Sequence, residues 1–377
     1  APPVVGPVGP PSATQQAQAP QSTPRTDAGV AVTAGAPASG VVAGLAGSAA
    51  LRGQVVQVRL GAAEGGTTNA GAVTAVNGAR LYVGHGTPRI SIIDASSQLL
   101  LKHSEPFGPG RQSLFAVARD QSKVFAAWFS APELLVLNAH DLSVERQVAL
   151  GAGGITSLSV NPQNGRIWVA TLALDSADSG VLHELDPGGE QVLRRVALPQ
   201  TASNIRFRPD GSILYLPNRA MNTLGFFDPV TGTMLRSPRL PQWPSAMTVS
   251  ADGRHLYIVN LGGARLLELD AATGEETRAV EVGSGSSAVA AHPDGRRVFV
   301  VNQSLGYVQI VDLEVGDVAD LVPVGRAPQS LALTPDANGL YVANAGSASI
   351  SLIDLEKKAV RETLSMGGNP GSLLLVR

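Results

Sequence analysis

The sequence predicts an all-β protein, a seven-bladed β-propeller of four-stranded antiparallel blades, on three observations. One phrase recurs: PDGSILYLPN (209–218), ADGRHLYIVN (251–260), PDGRRVFVVN (293–302) and PDANGLYVAN (335–344). Its last residue can be followed back as a marker through LYVGH, VFAAW and IWVAT. The markers are His85, Trp128, Thr171, Asn218, Asn260, Asn302 and Asn344, at spacings of 43, 43, 47, 42, 42 and 42 residues. Each period also holds four short β-branched or aromatic runs punctuated by Gly, Pro, Asn and Asp, the texture of strands and turns. Four strands in about 40 to 45 residues is the period of a propeller blade.

The elements follow in order within one repeat. SLALT (330–334) reads as an innermost strand, PDAN as a tight turn, GLYVAN (339–344) as a second strand and SISLIDL (349–355) as a third. EKK is a charged turn, AVRETLSMG (359–367) an outermost strand, and a Gly/Pro loop opens the next repeat. Helical apolar spacing is missing, which argues against an α-solenoid, and so is the WD dipeptide of WD40 blades.

The phrase P-D-G-x-x-hydrophobic-Tyr-Val-x-Asn, followed some ten residues on by hydrophobic-Ile/Val-Asp and then a V-G-x-x-P-type loop, resembles the YVTN-repeat, surface-layer-type family of seven-bladed propellers. The likeness runs over residues 54–377, closely in the last four repeats and less so in the first three, which lack the marker asparagine. It implies the propeller fold and an extracytoplasmic, mostly non-catalytic setting.

The repeated aspartates read as turn chemistry. Asp210, Asp252, Asp294 and Asp336 fall between the innermost and second strands, where Asp bonds nearby backbone amides and Gly takes a positive φ. Asp94, Asp186, Asp228, Asp270, Asp312 and Asp354, with Asn138 in the remaining repeat, close the third strand in the same way. A calcium loop needs several carboxylates within about a dozen residues. The nearest approach is Asp175 and Asp178 in the long loop 171–180, candidates for a loosely held cation.

Catalytic patterns are missing. The six histidines, His85, His103, His140, His183, His255 and His292, occupy different repeat positions and lack metal-ligand spacing. There is no nucleophile elbow and no phosphate-cradling loop; GSGSS (283–287) precedes a strand and reads as a blade-to-blade loop. No cofactor is expected. Chain direction puts the marker residues, the loops after them and the inter-blade loops on one face, where propellers commonly bind ligands at the channel mouth. The binding candidates there are His85, Arg111, Trp128, Trp243, Tyr307 and Arg326. Tryptophan with nearby arginine suits a protein or glycan contact.

Composition narrows the partners. A net charge of −2 with 15% charged residues shows no basic stripe, so nucleic acid is not an expected ligand. Cysteine is absent, which removes disulfides, thiolate metal sites and lipidated cysteine. No run is apolar enough to predict a transmembrane helix. Residues 1–52, rich in Ala, Pro and Gly, read as an extended arm that alone cannot bury enough apolar surface to order itself, ahead of the propeller at 53–377. The start at Ala1 fits removal of a signal peptide and export.

At the ends, GQVVQVRLG (53–61) resembles an outermost strand, while both GSLLLV (371–376) and AVTAV (72–76) resemble innermost ones, so the ring can close in more than one way. The expected function is a non-catalytic, exported binding or scaffold module of a bacterial cell envelope, its arm ordered by a partner. The alternative is a propeller lactonase or lyase that gathers His85, Arg111 and Arg326 at the channel mouth.

Overall fold

The computed structural model describes residues 78–107, 113–129, 131–151, 153–173, 179–241, 244–260 and 263–376. Within them the chain forms seven four-stranded antiparallel sheets, each one blade of a propeller. From innermost to outermost strand, blade 2 runs from Ser113–Val117 to Val144–Ala149, blade 3 from Ile155–Val160 to Val192–Leu198, and blade 4 from Arg206–Phe207 to Thr233–Arg236. Blade 5 runs from Pro244–Val249 to Glu276–Glu281, blade 6 from Ser286–Ala291 to Asp317–Pro323, and blade 7 from Pro328–Leu333 to Ala359–Ser365.

Blade 1 closes the ring. Its outer three strands, Arg80–His85, Ile90–Asp94 and Leu100–His103, come from the start of the described chain, and its innermost strand is Pro370–Val376. The closing pair is in register from Arg80 opposite Val376 to Gly84 opposite Ser372. GSLLLV is therefore the closing strand; AVTAV, residues 53–61 and the arm lie outside the described residues. Innermost strands of successive blades touch around the whole circle, including blade 7 with blade 1 and blade 1 with blade 2. A closed circle leaves no unpaired inner edge to template association.

The strand sequences reflect what covers them. Second and third strands are sandwiched between neighbouring blades, so RVFVVN (Arg297–Asn302) is almost wholly apolar and buried. The outermost strand Val144–Ala149 faces water and reads VERQVA. Burial is divided into seven apolar layers, one per blade interface. Between blades 4 and 5, for example, Tyr215, Phe226, Met247, Ile258 and Leu267 pack together.

Two polar devices join the blades. In three of the four blades whose phrase carries tyrosine, it donates its hydroxyl across the interface to the carbonyl of the alanine after the next blade's turn residue. Tyr215 donates to Ala271 at 2.7 Å, Tyr341 to Ala95 at 3.0 Å, and Tyr82 to Ala139. Secondly, the innermost strands of blades 1, 3, 5, 6 and 7 carry a bulge at their second residue: Gly371, Thr156, Ser245, Ser287 and Gln329. A bulge re-aims its side chain. Here Thr156 donates to Ala202 O at 2.7 Å, Ser245 to Ser286 O at 3.2 Å and Ser287 to Pro328 O at 3.2 Å, each in the next blade. Among the described residues no helix is long and apolar enough to cross a membrane.

Candidate functional site

The marker residues end the second strands on one face, beside the inter-blade loops. There Asn218 and Asn302 act as braces. The Asn302 amide donates to Ser284 O of the incoming loop at 3.0 Å while its carbonyl accepts the Leu305 amide at 3.0 Å. Asn218 likewise donates to Thr201 O at 2.8 Å and accepts from Met221 N at 2.8 Å.

Where the asparagine is replaced, the local chemistry changes. His85 is 4% exposed, with Nε2 2.6 Å from Ser91 Oγ, and that oxygen is 2.7 Å from His103 Nδ1. The three lie across the second, third and outermost strands of blade 1. Gly368, in the loop to the closing strand, lies so near that a Cβ there would stand 3.2 Å from His85 Nδ1. Burial, then the neighbouring His103 and Arg89, pushes His85 down to about 4, so the ring is neutral at ordinary pH. In blade 3 Thr171 pairs with the buried His183 at 3.1 Å, and burial followed by Arg195 pushes that ring to about 4 as well. Trp128 is buried and packs against Phe107, the rings tilted by 38° with centres 5.4 Å apart.

Of the residues expected at the channel mouth, His85 and Trp128 are thus packed inward, Tyr307 is half-buried at the start of the third strand of blade 6, and Arg326 is exposed in the loop into blade 7. They belong to blades 1, 2, 6 and 7, consecutive around the ring, and no hydrogen bond or ring contact joins any two of them. Arg111, Trp243, Asp175 and Asp178 lie outside the described residues.

The opposite face carries the turns. Asp94 accepts from Ser96 N at 3.0 Å and Ser97 N at 2.7 Å, and bonds from the Ser96 hydroxyl and the Ser97 amide hold its carboxyl at about 2. Gly211, Gly253 and Gly295, after the turn aspartates, have φ of 70°, 70° and 71°. These aspartates serve their own loops, and among the described residues no three His, Asp or Glu side chains converge as a metal site would need.

A cavity of about 460 Å³ opens on this turn face, lined by Arg80, Tyr82, Gln121, Ser122, His140 and Pro335. It sits where blade 1, closed by strands from two ends of the chain, has no hairpin between its innermost and second strands. Arg80 lies 2.8 Å from His140 Nδ1 and donates to Ala139 O at 3.3 Å. Sequence reasoning missed this group because the cavity depends on how blade 1 closes, and missed the pairing of Ser91 with His103 because strand register alone brings them beside His85.

No protein-family model and no characterised protein sequence matches the chain. Solved structures match its shape. A functionally unknown protein from Desulfotomaculum acetoxidans superposes with a TM-score of 0.68 at 14% identity, covering 80% of this chain and 99% of that one. A protein described as a putative 6-phosphogluconolactonase of Bacteroides fragilis gives 0.65 at 15%, over 79% and 98%. Hydrazine synthase of Kuenenia stuttgartiensis gives 0.61 at 17%, over 74% and 98%. Neighbours this diverse in description and this distant in sequence share the architecture, and the chain is a seven-bladed β-propeller.

Proposed function

We propose that the chain is an exported, non-catalytic scaffold propeller of the YVTN-repeat type in a bacterial cell-envelope or surface assembly. Its marker face binds a protein or glycan partner, and its arm, residues 1–52, docks to the same assembly. The character of that face supports this reading. Phe129, Met221 and Leu305, in loops after second strands, are 45%, 52% and 65% exposed. They share the face with Tyr307 and the exposed Arg326. Apolar tips with aromatics and arginine form a contact surface. The lactonase or lyase reading needs His85 to reach a substrate, whereas its ring is enclosed between Ser91 and Gly368.

Two variants test the reading against sedimentation with isolated bacterial envelopes: one lacking residues 1–52, and one carrying Met221→Asp with Leu305→Asp. Both should fold, and both should sediment less than the parent. Unchanged sedimentation of both would end the proposal. Turnover of a lactone panel that disappears in His85→Ala would establish the hydrolase instead.

A further inference from the structure

The seven innermost strands read SLFAV, ITSLSV, RF, PSAMTV, SSAVAA, PQSLAL and PGSLLLV, and Arg206 of blade 4 is the one ionisable residue in them. Neighbouring blades cover both faces of an innermost strand, so a side chain exposed there is exposed into the central channel. Arg206 is such a side chain. It is exposed, and the protein around it lowers its pKa by desolvation. Among the described residues its guanidinium bonds only the adjacent Ile205 carbonyl, at 3.0 Å. No ion pair to a described carboxylate is made by Arg206, so its charge is left to meet an anion from solution.

The surroundings fit an occupant. Arg206 stands opposite Tyr215 in its sheet, three residues before the marker. The equivalent positions in blades 1, 2, 3, 5, 6 and 7 are Leu374, Ala116, Ser159, Thr248, Ala290 and Ala332. Arg206 is therefore the one charged residue in a ring that is otherwise small except for Leu374. The hydroxyls flanking it, Ser159 in blade 3 and Thr248 in blade 5, are half-exposed and bond no described protein group. The innermost strand of blade 4 is also cut to two residues, with Asn204 before it at a φ of 54°. Local irregularity of this kind concentrates at functional positions.

We propose that the central channel holds a small oxyanion, of the carboxylate or phosphate type, bound by the Arg206 guanidinium with the Ser159 and Thr248 hydroxyls beside it. Guanidinium presents paired donors that match two oxygens of either group.

Titration calorimetry of the full chain with sodium phosphate and, separately, sodium acetate, in chloride buffer of constant ionic strength, tests this and tells which oxyanion fits. Saturable one-site binding of at least one probe is expected, weakened about tenfold or more in Arg206→Gln. Ser159→Ala and Thr248→Val should each weaken it by a smaller factor. In chloride, Arg206→Gln should melt no lower than the parent, since it removes an unpaired charge. Absence of saturable binding by both probes, or binding unchanged in Arg206→Gln, would overturn the proposal. The site is independent of the marker face, so sedimentation and calorimetry can fail separately.

Discussion

Tyrosine in the repeated phrase does more than fill an interface. Tyr215 is buried and its hydroxyl answers the Ala271 carbonyl, with burial pushing the phenol up to about 12. Tyr215→Phe keeps the ring but strands that carbonyl, and urea denaturation should show a loss of about 1–2 kcal/mol. The sequence carries a trace of this bond. Alanine follows the turn residue of the next blade at Ala95, Ala139 and Ala271, where the bond forms, whereas Leu313, Leu355 and Pro187 follow where the phrase has Tyr257, Phe299 or Phe125. Histidine tells a different story. Burial favours neutral His85 and His183, so the unfolded chain, with ordinary values near 6.5, takes up protons first. Their stabilising effect is complete above about pH 6.5 and is lost as pH falls toward 4, by about 2 kcal/mol per ring at pH 5. His85→Asn restores the repeat's own residue, and denaturation curves at pH 7 and 5 should show it removing about half of that histidine-dependent loss. The turn aspartates were legible because their partners lie two or three residues away. His85 could be suspected from its place in the repeat, but its partner His103 sits two strands on and only the sheet brings them together.

At the scale of strands, the period and the order of the four runs predict every blade, since a strand covered on both sides must read as an apolar run. The bulges were not legible, because Thr156, Ser245 and Ser287 look like ordinary members of their runs until register shows them skipped. Arg206 left a clearer signal. It stands four residues before the turn Asp210, where the later repeats have Thr248, Ala290 and Ala332. The second strand of blade 7 has Leu340 fully buried against blade 6, and Leu340→Ala should cost about 2–5 kcal/mol in the same denaturation assay. Ending the chain at Asn369 removes the closing strand and leaves Arg80–His85 without its inner partner. Calorimetry should then show a broad transition in place of one cooperative melt, and a melt like the parent's would contradict closure by this strand.

For the molecule as a whole, the ring makes two faces and a bore of different character. One face is braced at Asn218 and Asn302 and tipped with apolar loops, the other carries aspartate turns that satisfy their own loops, and the bore carries a single described positive charge on its innermost strands. The fold could be read from the repeats alone, while the site could not, because its parts lie one per blade and meet only when the circle is complete. Closure of blade 1 also sets a schedule. Residues 80–103 leave the ribosome long before residues 370–376, so three strands of blade 1 must wait through the synthesis of six other blades for the strand that completes them. Until then the ring is an open arc with a bare edge at each end, and the finished disk forms only once the chain has been made through Val376.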